Sequence, residues 1–117
     1  MLADPQSVTV NAVAIPLPRT NQGPTQNVYT SADGKTIMTT KQNTTTSRFR
    51  REVRLAQTKI AADPISAINK ESGVSAYFVV DEPRSGVFSD GEIGYLIDAL
   101  KAWLTSTNYN KVLGGEY

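Results

Sequence analysis

Ser47-Arg48-Phe49-Arg50-Arg51-Glu52-Val53-Arg54-Leu55-Ala56-Gln57-Thr58-Lys59 is the stretch on which the fold turns. Side chains of a β-strand alternate between two faces. With that period, Phe49, Arg51, Val53, Leu55 and Gln57 fall on one side, and Arg48, Arg50, Glu52, Arg54 and Thr58 on the other. One side is largely apolar and the other largely cationic. Read as a helix, the same residues scatter their arginines around the cylinder, and only Phe49 and Val53 at i,i+4 keep that option open. The strand is preferred because the β-branched run Thr44-Thr45-Thr46 just before it suits a hairpin connection better than a helix start. A sheet with an open cationic face is a surface for polyanions.

The net charge of +1 conceals how unevenly the charges are spread. Between Lys35 and Ile60 stand seven basic residues (Lys35, Lys41, Arg48, Arg50, Arg51, Arg54 and Lys59) against the single acid Glu52, a balance of +6. The remainder of the chain holds 5 basic and 10 acidic residues, a balance of −5. Segregation of this kind steers an anionic partner towards one patch of a nearly neutral molecule. The competing reading is a solvated edge with no partner.

At 117 residues the sequence reads as one domain, 1–117, long enough to bury a core and too short for two. Cysteine is absent, which excludes disulfides and thiolate metal sites. Histidine is absent too, and with it the commonest general base and the commonest metal ligand. No cofactor, no metal and no enzymatic activity are expected. Met1-Leu2-Ala3-Asp4-Pro5 lacks the basic and apolar regions of a signal peptide, and no run approaches the length of a membrane span. The expectation is a soluble protein of a reducing compartment.

In chain order, Ser7 to Val13 alternates and reads as a first strand. Ile15-Pro16-Leu17-Pro18 carries two prolines, which confine it to an edge or an extended connector, and Asn21-Gln22-Gly23-Pro24 reads as a turn. Residues 1–25 thus form an N-terminal hairpin and connector. Asp33-Gly34 between Asn27–Ser31 and Lys35–Lys41 is a strong hairpin signal, with positive φ expected at both central positions. Ala61-Ala62-Asp63-Pro64 ends the basic strand. Ile65 to Ser72 fits either a short strand or a long loop, with Ser72-Gly73 as its exit, and Val74 to Val80 is a strand that stops at Glu82-Pro83. The antiparallel sheet therefore spans 26–83.

Ser89-Asp90-Gly91-Glu92 has capping-box spacing, and Ile93, Leu96, Ile97, Leu100, Trp103 and Leu104 form the apolar stripe of a helix ending around Thr105 to Asn108. Asn110 to Leu113 could form one more helical piece, completing a helical region over 89–117. The order is α+β, an antiparallel sheet followed by helices. A five-stranded sheet is roughly 19 to 24 Å wide, whereas one helix covers about 10 Å. A second copy supplies the missing cover most economically, so the sequence predicts an intertwined homodimer, with the Ile93–Leu104 stripe as core or dimer contact.

This order of elements resembles the coat proteins of the single-stranded RNA bacteriophages, the levivirus family. Ser47 to Arg54 is similar to the family's RNA-facing strand, Ser75-Ala76-Tyr77-Phe78-Val79-Val80 to its last strand with a tyrosine on the RNA side, and Ser89 through Leu104 to its dimerising helix. The ending Gly114-Gly115-Glu116-Tyr117 resembles the family's tail. The segment between Lys59 and Val74 departs from the pattern, being short for a strand plus the long loop of the family. The resemblance implies a capsid protein of the virion, made in the bacterial host cytoplasm. Its dimers would close into an icosahedral shell around single-stranded RNA. It leaves room for an RNA hairpin operator whose binding represses translation.

On the cationic strand, Arg50 and Arg54, then Arg48, are the expected phosphate contacts, because guanidinium forks match phosphate oxygens and keep their charge. Tyr77, opposite in parity to Phe78 and Val80, is placed to stack on an unpaired base. Lys41, Thr39 and Thr58 join the RNA-binding set if register brings them to the same surface. For each the alternative is a solvated or purely structural side chain. Arg51, on the apolar side, is expected to snorkel or pair with an acid. The adjacent acids Asp81 and Glu82 point to opposite faces of a strand and make poor partners for metal or acid–base chemistry. The rival functions are a dimeric cellular RNA- or DNA-binding module that forms no shell, and a small hydrolase for which no spacing marks a nucleophile.

Overall fold

The computed structural model describes residues 2–62, 64–65 and 68–116. Its strands and helices follow the predicted order: β1 (Gln6–Val10), β2 (Val13–Leu17), β3 (Arg19–Gln22), β4 (Gln26–Thr30), β5 (Thr36–Thr44), β6 (Arg48–Ala62), β7 (Asn69–Pro83), α1 (Asp90–Trp103) and α2 (Ser106–Leu113). The strands form a two-stranded ribbon, β1-β2, and a five-stranded sheet in sequential order, β3-β4-β5-β6-β7. The chain divides into two compact units, Met1–Glu82 and Pro83–Tyr117.

In the first unit, the run expected as one strand through Val13 is broken by a tight turn. Asn11 and Ala12 both adopt positive φ, 50° and 63°, and Val10 pairs directly with Val13. Pro16 sits in β2 opposite Ser7, within a ribbon where every strand is an edge and a missing N–H costs no ladder. Asn21 and Gln22, expected in a turn, instead close β3, which pairs with β4 through a register shift between Arg19 and Asn21. The sheet therefore begins at Arg19 rather than at residue 26. Leu17 and Tyr29 are fully buried. Arg19 stacks its guanidinium 5.5 Å from the Tyr29 ring and donates to the Leu2 carbonyl at 2.8 Å, pinning the start of the chain to the sheet edge.

The Asp33-Gly34 hairpin is present, but only Gly34 has positive φ (72°). The connection is five residues long, with Gly34 N–H donating to the Ser31 carbonyl. The Asp33 carboxylate accepts from the Ser31 hydroxyl and from Lys35 N–H, and these bonds, the hydroxyl first, lower its pKa below the ordinary carboxylate value. Thr45 to Ser47 connect β5 to β6, as the threonine run implied, with Thr44 opposite Phe49.

The region from Ile65 to Ser72 is corrected most. Asn69 to Ser72 belong to β7, and Ser72-Gly73 lies inside the strand instead of leading out of an earlier element. A Cβ on Gly73 would stand 3.3 Å from Thr58 Cγ2, so glycine here admits the close approach of β6. Two long strands joined through residues 63–68 account for the shortness of this segment, with no further strand among its described residues. The expected break at Asp63, part of the Ile65–Ser72 stretch (residues 66 and 67) and the final Tyr117 lie outside the described residues.

In the second unit, Ser89 caps α1, its hydroxyl accepting from Glu92 N–H at 3.2 Å. The helix stops at Trp103, earlier than expected, because Thr105 caps a new helix by accepting from Asn108 N–H. The Asn108 side chain then donates at 2.7 Å to the Trp103 carbonyl, which also accepts from Thr105 N–H at 2.8 Å. No described residue of either helix is buried. On the apolar stripe Ile93 and Ile97 are half-buried, whereas Leu96, Leu100, Trp103 and Leu104 are exposed.

Candidate nucleic-acid interface

Backbone register fixes which side chains share a face of the sheet. β5 and β6 pair Thr39 with Arg54, Lys41 with Glu52 and Asn43 with Arg50. β4 and β5 pair Val28 with Thr39 and Gln26 with Lys41. On β7, Asp81 bonds Arg48 and Ser75 bonds Arg54, so the odd residues of that strand, Tyr77 among them, lie on the Arg50 side. Thr58 shares the parity of Arg54 and lies against Gly73. All seven predicted site residues, Thr39, Lys41, Arg48, Arg50, Arg54, Thr58 and Tyr77, therefore occupy one face. The opposite face carries Met38, Thr40, Phe49, Arg51, Val53, Leu55, Phe78 and Val80.

The seven are not equivalent. Arg48 Nε donates to Asp81 Oδ1 at 2.8 Å, which commits that guanidinium to a carboxylate. Arg54 Nη2 donates to the Ser75 hydroxyl at 3.2 Å, a neutral partner that leaves its charge unbalanced. Arg50 is exposed and makes no ion pair or side-chain hydrogen bond among the described residues. Tyr77 is 63% exposed, a value that leaves most of the ring open to solvent and available for stacking. Thr39 and Thr58 are half-buried.

On the other face Arg51 pairs with Glu82, whose side chain is 11% exposed, and stands 5.4 Å from the Phe49 ring. The expectation that Arg51 finds an acid is met. Asp81 and Glu82 indeed serve opposite faces, each taken by a different arginine, and no group of His, Cys, Asp and Glu suited to a metal occurs among the described residues. Sequence reasoning overlooked Ser75 and Asp81 as partners of the arginines. Their parity with Tyr77 was readable, but the β6–β7 register that brings them together was not.

No family model matches the sequence, and no curated protein does. Solved structures match over the whole length. The virus-like particle of bacteriophage AVE019 matches with a TM-score of 0.82 at 16% identity, over 98% of this chain and 97% of that one. The fold is that of levi-like coat proteins. The virus-like particle of Beihai levi-like virus 21 gives a TM-score of 0.77 at 9% identity, covering 100% of this chain and 98% of that one. The bacteriophage GA capsid protein gives 0.60 at 6% identity, covering 96% and 95%. At such identities the likeness is one of fold, with few individual side chains in common.

Proposed function

We propose that this chain is the coat protein of a single-stranded RNA bacteriophage. Two copies form an intertwined dimer, and dimers close into an icosahedral shell that packages the genome, so the protein resides in the virion after synthesis in the bacterial host cytoplasm. The observation that carries this reading is the end-to-end match of the fold to the subunits of phage virus-like particles. A shared fold alone does not specify function. The added support is chemical: the sheet presents Lys41, Arg50 and Arg54 on one face, while Val53 on the other face and Leu96, Leu100, Trp103 and Leu104 in the helical region are exposed.

In the assembled dimer, helices of each copy cross the apolar face of the other's sheet. The cationic face stays open towards the particle interior. There, phosphates pair with Arg50, Arg54 and Lys41, with Arg48 contributing through its outer nitrogens, Thr39 and Thr58 offer hydroxyls, and Tyr77 stacks on an unpaired base. An RNA hairpin held on this face would couple assembly to repression of translation. The role is structural and needs no cofactor or catalytic group. Size-exclusion chromatography with nuclease digestion tests the proposal. It predicts a species far larger than a dimer that retains nuclease-protected RNA. A dimer that binds nucleic acid without forming particles would instead identify a cellular binding module.

A further inference from the structure

The five-stranded sheet ends in two unlike edges: β7 is 15 residues long, whereas β3 has only 4, Arg19–Gln22. An edge strand offers its outward N–H and C=O groups to any strand that arrives, so a bare edge is a template for unintended pairing. At the start of β3 the peptide unit between Pro18 and Arg19 turns its carbonyl into the sheet, where it accepts from Thr30 N–H at 3.0 Å. In a trans peptide the N–H of the same unit, that of Arg19, then faces outward. This outward donor is already taken. Arg19 N–H donates to Asp4 Oδ1 at 2.8 Å. Two further bonds hold the strap that carries Asp4: the Arg19 guanidinium donates to the Leu2 carbonyl at 2.8 Å, and the Gln6 side chain donates to the Ala3 carbonyl at 2.7 Å.

The neighbouring backbone is blunted too. Pro18 has no N–H to offer, and the register with β4 shifts between Arg19 and Asn21, an irregularity that disrupts any ladder added outside it. Arg19 ties strap and edge together. Its Nε is shut off from solvent without a partner, it forms no ion pair among the described residues, and its charge rests on the Leu2 carbonyl and the Tyr29 ring. Lifting the strap frees the guanidinium and the outward N–H at once.

We propose that residues 2–4 are an edge guard, a strap that keeps a second copy of the chain from adding its own β3 to this edge. The excluded partner is another copy because antiparallel pairing of two β3 strands is self-complementary, and every copy brings the same edge. A carboxylate suits the task. It accepts from Arg19 N–H but presents no N–H of its own to a following strand, so the ladder stops there.

For the test, Asn21, exposed on β3, is replaced by cysteine in the full-length chain, which has no other cysteine, and copies are joined with a short bismaleimide. Few pairs are expected while the strap is intact. Adding Asp4→Ala should raise their yield several-fold. Asp4→Asn, which keeps a side-chain oxygen for Arg19 N–H, should leave it near the level of Asn21→Cys alone. Hydrogen exchange read at residue resolution should show the Arg19 amide exchanging about tenfold faster in Asp4→Ala, the scale of one hydrogen bond to a charged group. Faster exchange without more cross-linking makes the strap a local brace and overturns the guard. Equal cross-linking in Asp4→Ala and Asp4→Asn overturns the role of the Asp4 bond. An Arg19 amide that exchanges freely in the parent chain overturns the proposal with no variant involved, so a folding defect in Asp4→Ala cannot mask the answer.

Discussion

At the scale of single residues, side chains of identical type differ in what they have left to offer a ligand. Arg50 and Arg54 keep their charge available, whereas Arg48 is bonded to Asp81. Replacing Arg50 and Arg54 together by alanine should reduce the RNA carried by the purified protein and shallow the slope of log affinity against log salt by about 1.4 to 1.8, since each lost phosphate contact removes roughly 0.7 to 0.9. Unchanged slope in a salt titration would remove both from the interface. Arg48→Ala should change that slope little and cost no more than about 1 kcal/mol in urea melts, the range of an exposed ion pair. Asp33 provides a pH-dependent case. Its carboxylate pKa is lowered in the folded chain by the Ser31 hydroxyl and Lys35 N–H. The stability it contributes is therefore present above the ordinary carboxylate range and is lost as pH falls through the lowered folded value. Asp33→Asn should flatten the acid limb of a stability–pH profile, and a profile identical to that of the parent chain would show that the turn does not depend on the charge.

At the scale of elements, legibility follows the physics of each signal. The faces of β6 were readable because a period of two is unmistakable when arginines alternate with Phe49, Val53 and Leu55. Three of the seven site residues, Thr39, Lys41 and Tyr77, needed more than their own strand, and the sequence could state their parity but not the register that aligns Thr39 with Arg54 and Lys41 with Glu52. The turn at Asn11-Ala12 was missed because neither residue is glycine, although asparagine tolerates the left-handed region better than most. Arg19 to Gln22 carries no apolar alternation to mark β3, and Gly73 imitated a strand end while permitting close packing on Thr58. Thr105 was hidden within an apparently continuous helix. As the cap of α2 it should be sensitive: Thr105→Ala is expected to cost about 1 kcal/mol, and Thr105→Asp close to nothing, measured by urea denaturation. Equal losses in the two variants would mean that the cap bond is not formed.

At the scale of the whole molecule, a 117-residue chain with only Leu17 and Tyr29 as fully buried apolar side chains among its described residues has little core of its own. Leu96, Leu100, Trp103 and Leu104 are 69, 50, 52 and 47% exposed, an uncovered stripe that a second copy would enclose. Leu100→Asp places a charge in that contact and should prevent assembly, at a cost of about 3 to 5 kcal/mol for a buried unpaired charge. Lys101→Ala, which removes an exposed pairing with Asp98, should assemble normally in the same light-scattering assay. Normal assembly of Leu100→Asp would show that the stripe is not a subunit contact. The most direct measurement is an electron cryomicroscopy map of the purified particles. The account predicts closed shells in which Arg50, Arg54 and Tyr77 line the lumen against RNA density, with α1 of each subunit crossing the Phe49 and Val53 face of its partner. Shells with Arg50 and Arg54 on the outer surface, or a protein that remains monomeric on the grid, would contradict it.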